Sequence, residues 1–118
     1  MTLVQQVCAR AKLMVQELTQ ENQVLLEDVC MAAVSSLKQR LLDNIGAEDC
    51  HTDFVTAAAM LAVAAMWEMG AISQVEQFTA GDVTVRTTSK ENAVFAMRAQ
   101  AMTLMQPYMK AGYVFMGV

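Results

Sequence analysis

Apolar residues near the start of the chain recur at spacings of three and four: Leu3, Val4, Val7, Cys8, Ala11, Met14, Val15 and Leu18. That period lays one apolar stripe along a helix. Thr2 with Gln5 three residues on is a capping-box pattern that starts this helix. Thr19 to Asn22 is a polar break. A second helix is expected from about Glu21 to Asp43. Its stripe is Leu25, Val29, Ala33, Leu37 and Leu41, widened by Leu26, Cys30, Val34 and Leu42. Glu27 and Asp28 lie near its start and Lys38 and Arg40 near its end, the order the helix dipole favours. Asn44 and Gly46 fit a helix stop, with Gly46 free to take positive φ.

A third helix starts among Asp49 to Thr52 and runs to about Met69. From Phe54 to Trp67 it is apolar all round except for Thr56. A helix of that kind sits in the middle of a bundle. The run is shorter than the ~20 residues a membrane span needs. Gly70 breaks the pattern. The period then changes: Val83, Val85 and Thr87 alternate with Thr84 and Arg86, preceded by Val75-Glu76-Gln77-Phe78 and by Thr79-Ala80-Gly81-Asp82. This reads as a β-hairpin over about 73–88, turned at Gly81. Thr88 and Glu91 repeat the capping-box pattern. A fourth helix follows to about Met109, with Val94, Met97, Ala101, Leu104, Met105 and Tyr108 on one side. Pro107 ends or kinks it. The segment 111–118 is apolar and extended. The expected fold class is therefore mainly α: a four-helix domain, residues 1–118, with one β-hairpin inserted between the third and fourth helices.

Composition sharpens this picture. The chain has 118 residues, 55% hydrophobic and 17% charged, which is one domain with more apolar surface than a core of that size readily hides. A net charge of −4 and a pI of about 4.8 argue against non-specific binding to nucleic acid or to anionic membrane. The N-terminal stretch carries Gln5, Gln6 and Arg10 and lacks the apolar run of a secretory signal. Three cysteines, Cys8, Cys30 and Cys50, are widely spaced without a CxxC, which fits reduced, buried thiols in an intracellular protein.

Motifs that carry chemistry are sparse. The one histidine, His51, lies in Asp49-Cys50-His51-Thr52-Asp53, but neighbours in a helix start point apart, so neither a metal site nor a Cys–His pair is expected. Glu68 and Glu76 read as solvated charges and not as a catalytic pair. No phosphate-binding, dinucleotide-binding or nucleophile-elbow motif is present. No cofactor and no enzymatic activity are expected. The basic pairs Arg10 with Lys12 and Lys38 with Arg40 are ordinary solvated faces, and no basic recognition helix is found. Eleven methionines are unusual. Met60, Met66, Met69, Met97 and Met105 fall on core positions. Met31, Met102, Met109 and Met116 are harder to place in one core and are candidates for a subunit interface.

The order of these elements resembles the small head–tail connector (head-completion, neck adaptor) proteins of tailed bacteriophages and prophages. The likeness rests on the apolar helix ending in Trp67-Glu68, the Gly81-Asp82-Val83 segment after Ile72-Ser73, and the last helix ending in Pro107-Tyr108. It spans roughly Asn22 to Tyr108. After the tryptophan the chain departs from the family pattern, with Glu68-Met69-Gly70 in place of aromatic and basic residues.

The resemblance implies a non-catalytic virion assembly protein. Such an adaptor forms a ring under the portal, extends the DNA channel without reading DNA sequence, and meets stopper or tail-completion proteins. It implies the bacterial cytoplasm during assembly, then the virion neck, with no membrane partner. It also points to hairpin and tail as contact surfaces for a neighbouring subunit or the portal: Glu76, Phe78, Asp82, Val83, Arg86, Tyr113, Phe115 and Met116. The alternative reading is a small cytosolic regulatory or adaptor protein that acts as a homodimer through a Met-rich surface.

Overall fold

A computed structural model describes residues 2–15, 18–71 and 90–110, and the backbone of 78–80 and 83–85. Among these residues there are four α-helices: α1 Leu3–Lys12, α2 Gln20–Arg40, α3 His51–Glu68 and α4 Lys90–Met105. They form a helical bundle. α1, α2 and α4 all pack on α3, and α1 also packs on α2.

The helix starts follow local chemistry. The Thr2 hydroxyl accepts from the Gln5 N–H at 3.1 Å, and the Gln5 side chain accepts from the Thr2 N–H at 2.9 Å. Two donors that the first turn of α1 leaves unpaired are thereby satisfied. Thr19 caps α2 through a 3.2 Å bond from the Asn22 N–H. A 3-10 turn, Ala47–Cys50, leads into α3. Its first peptide is held by the Asp49 carboxylate, which accepts from the Gly46 N–H at 2.8 Å.

α3 is the hub because from Asp53 to Trp67 none of its residues is fully exposed. Phe54, Ala57, Ala58, Ala59, Ala62, Val63, Ala64 and Met66 are essentially inaccessible. The alanines let three other helices approach its backbone closely. By length and composition alone the stretch Ala47–Glu68 is apolar enough to cross a membrane, and its burial among the other helices accounts for that hydropathy. Gly70 ends α3 at φ +80°. The Ala71 N–H donates to the Met66 carbonyl and the Gly70 N–H to the Trp67 carbonyl, which makes a Schellman stop.

Three boundaries differ from the sequence reading. α1 stops at Lys12, although Met14 and Val15 beyond it are still buried. α2 ends at Arg40 with an extended Leu41, earlier than Asp43, and the stop does not use a left-handed Gly46, whose φ is −102°. α4 ends at Met105 and Pro107 sits in a 3-10 turn, Gln106–Tyr108. The chain then clamps onto the end of α2. The Leu42 N–H donates to the Tyr108 carbonyl at 2.9 Å, and the Lys110 N–H donates to the Arg40 carbonyl at 3.0 Å. Leu41 and Met109 form an isolated antiparallel bridge between them, and both are buried.

The expected fold class is corrected in one respect. The fold is a helical one, and a β-hairpin inserted over 73–88 is not supported as an element of it. Among the described residues, extended pairing between α3 and α4 consists of two three-residue runs, Phe78–Ala80 and Val83–Val85, with Phe78 opposite Val85. Runs that short give too few bonds to stand as an independent element. Among the described residues the core is built mainly by the helices, with Met14, Val15, Leu41 and Met109 added from the segments that follow them. Gly81 and Asp82, the expected turn, lie outside the described residues.

Candidate interaction surface

The residues expected to make contacts fall mostly beyond what the structure describes. Glu76, Asp82, Arg86, Tyr113, Phe115 and Met116 lie outside the described residues, as does Thr88 of the second capping pattern. Phe78 and Val83 are described by their backbone, in the two paired runs. The surface of the described helices shows other apolar positions instead. Leu13, Val24, Met31, Met69 and Phe95 are large, apolar and exposed.

Helical geometry sorts them. Val24 and Met31 are seven residues apart on α2, which returns them to the same face within about 20°. Phe95 on α4 is 74% exposed. Ala99, also exposed, and the half-buried Met102 follow it on the same face. The opposite faces of both helices carry the core, through Leu26, Cys30 and Leu37 on α2 and through Val94, Met97, Ala101 and Met105 on α4. The chain thus carries exposed apolar positions on two separate helix faces, Val24 and Met31 on α2 with the exposed Glu27 and Asp28 between them, and Phe95, Ala99 and Met102 on α4.

A bidentate ion pair borders the α4 strip. The Arg98 guanidinium donates to the two Glu68 oxygens at 2.6 and 3.2 Å. Arg98 lies three residues after Phe95, one turn along the same side of α4. Met69, just past the last turn of α3 and 56% exposed, follows Glu68 directly. Phe95 and Met69 therefore flank the same α3–α4 junction.

At the other end of α3 lies an open groove of about 480 Å³ between α1, the end of α2 and the start of α3. Leu3, Leu41, Ile45 and Ala47 supply its apolar lining, and Gln6, Lys38, Glu48 and His51 its polar lining. His51 Nε2 meets Gln6 Oε1 across it, which fastens α1 to α3. Cys50 turns away, its thiol donating to the Gly46 carbonyl at 3.8 Å. Cys50 and His51 do not face one another. Beside this groove the Tyr108 hydroxyl donates to Asp53 Oδ2 at 2.9 Å. That bond and the Asp53 charge raise the phenol above its ordinary value.

Among the described residues no three His, Cys, Asp or Glu side chains gather as a metal-binding group. Glu68 is engaged with Arg98, and no carboxylate pair with Glu76 is described. Of the methionines, Met60, Met66, Met97 and Met105 are core, as their spacing indicates. Met69 is not, because α3 ends before it. Met109 is buried, because the bridge to Leu41 carries it inward. Met31 is exposed and Met102 half-buried.

Searches against protein-family models, curated proteins and solved structures find no match to this chain.

Proposed function

We propose that this chain is a structural assembly protein that works by apolar contact between subunits, in the manner of a tailed-phage head–tail connector adaptor. On this reading it forms a ring under a portal, lines a channel through which DNA passes unread, and offers a docking face to stopper or tail-completion proteins. It assembles in the bacterial cytoplasm and ends at the virion neck.

The observation that supports this reading is that α2 and α4 each present exposed apolar residues on a face turned away from the core. A closed ring needs two different patches on each subunit, one to give and one to receive. Val24 with Met31 is one such patch and Phe95 with Ala99 and Met102 is the other. Val24, Met31, Phe95 and Ala99 are exposed although the core is already filled by α3 and its neighbours. The acidic balance suits a conduit, since a basic lumen would hold DNA by its phosphates.

The test is solution mass by light scattering over a concentration series, with negative-stain images of the largest species. A ring of fixed subunit number supports the proposal. A dimer that persists across dilution with nothing larger rejects it and favours a homodimeric regulatory or adaptor protein.

A further inference from the structure

The described chain ends beside the open groove at the start of α3. After the 3-10 turn Gln106–Tyr108, Met109 pairs antiparallel with Leu41, and the Lys110 N–H donates to the Arg40 carbonyl at 3.0 Å. Leu41 and Lys38 are both walls of the groove. The antiparallel course points the chain back past Arg40 toward Lys38. The groove, about 480 Å³ in volume, keeps apolar surface open: Leu3 and Ile45 are only half-buried, and the buried Leu41 and Ala47 back them. Residues 111–118, which lie outside the described residues, read Ala-Gly-Tyr-Val-Phe-Met-Gly-Val, without a charged side chain. Fully extended, they reach at most ~26 Å from Lys110, enough to span a groove of this volume.

We propose that the segment 111–118 docks in this groove of its own chain and covers Leu3 and Ile45 with Tyr113, Phe115 and Met116. The tether selects this occupant. It begins on a residue hydrogen-bonded beside the groove wall, so the segment is held there at an effective concentration on the order of millimolar. A contact with an intrinsic dissociation constant of ~0.1 mM is then mostly formed, and a second copy has no such advantage in dilute solution. The other exposed apolar position of the first half of α2, Val24, lies about 25 Å back along the helix axis from Leu41. Lys38, exposed on the rim, offers the carbonyls of an extended segment a donor. Docking stows the apolar end of the described sequence, and a partner that takes up these residues has to displace them from the groove first. It does not depend on the assembly reading.

The test is photochemical cross-linking in the full chain carrying Phe115→p-benzoylphenylalanine. After illumination the products are separated on a denaturing gel and digested for mass spectrometry. The expected product keeps the mass of one chain, joins position 115 to the peptide that carries Leu3 or Ile45, and keeps its yield on dilution. Leu3→Glu puts a charge in the groove at a first-turn position where the helix dipole favours an acid. It is expected to lose the cross-link with the helical circular-dichroism signal unchanged, and Ile45→Glu, on another wall, is expected to do the same. Products at twice the chain mass place the segment on a second copy and overturn the proposal. So do cross-links elsewhere in the chain, no cross-link at all, or a groove cross-link that survives both substitutions in a folded chain.

Discussion

The Asn22 side-chain amide donates to the Ala71 carbonyl at 2.7 Å, across 49 positions of sequence. It joins the first turn of α2 to the residue that follows the Schellman stop of α3. A carbonyl just outside a helix end has no partner of its own, and a half-buried amide supplies one. Asn22→Ala is expected to cost about 1 kcal/mol, read as a lower urea midpoint with the slope unchanged. The more conspicuous ion pair, Arg98 with Glu68, is expected to matter less. Both side chains are about half exposed, and such pairs contribute ~0–1 kcal/mol in a salt-dependent way.

The two glycines near helix ends make opposite predictions. Gly70 has φ +80° and open space where a Cβ would stand. Gly70→Ala is therefore penalised by the backbone alone, by roughly 1 kcal/mol. At Gly46 the backbone is ordinary, and a Cβ meets only the tip of the Glu48 carboxylate at 2.6 Å. That side chain is flexible and exposed, so Gly46→Ala is expected to be close to neutral. Thermal melts of the two variants side by side check the contrast.

Alanines on α3 are spacers. Ala62 is 1% exposed, with Ala58 and Ala59 beside it at 0%. Ala62→Leu is expected to destabilise by about 1–3 kcal/mol through overpacking, and Phe54→Ala by about 3–5 kcal/mol through the cavity it leaves. Both losses are read by chemical denaturation.

Tyr108 gives a pH signature. Its phenol is raised from 10.0 by the hydrogen bond to Asp53 and by that carboxylate's charge. The folded state therefore holds the proton more tightly than the unfolded state. The stabilisation is complete below pH ~10 and is lost as pH rises through the folded-state value. Asp53→Ala is expected to bring this phenol back toward 10 in an absorbance titration compared with the unsubstituted chain. An unchanged titration would remove the Asp53 bond from the account.

Deleting residues 112–118 separates assembly from docking. The described helices do not include this segment, so the helical circular-dichroism signal is expected to persist. Binding to a portal ring, followed by co-sedimentation, is expected to be lost if Tyr113, Phe115 and Met116 form the contact that the family resemblance implies. Docking that survives the deletion assigns the contact elsewhere.

Much of the bundle was legible in the sequence. The Thr2–Gln5 cap has both its bonds, and an all-round apolar helix became the hub. The α2 stripe was displaced by about one residue. Leu26, Cys30, Ala33, Val34, Leu37 and Leu41 are buried, whereas Leu25 and Val29 are only partly so. A strict spacing of four advances 400° per step, so such a row drifts about 40° around the helix each time.

Of the exposed apolar positions, Met31 was singled out in the sequence, along with Met102, whereas Val24 and Phe95 were not. Phe95 sits beside the stripe of Val94, Met97 and Ala101 and not on it. Met109 was set apart from the core because nothing local announces its bridge to Leu41, which is set by where the chain returns after Pro107. The alternation over 73–88 was a real pattern, but alternation alone does not supply the packing that turns extended segments into an element of the fold.

The central claim is that two different strips on each subunit carry the assembly, and mixing variants tests it most directly. Val24→Ser with Met31→Ser removes the α2 strip, and Phe95→Ser removes the α4 strip. Light scattering is made on each variant alone and on an equal mixture. The account predicts monomers alone and a species of two subunits in the mixture, since one intact patch of each kind remains to meet the other. Variants that still form the wild-type assembly on their own, or a mixture that stays monomeric while the wild type assembles, would contradict it.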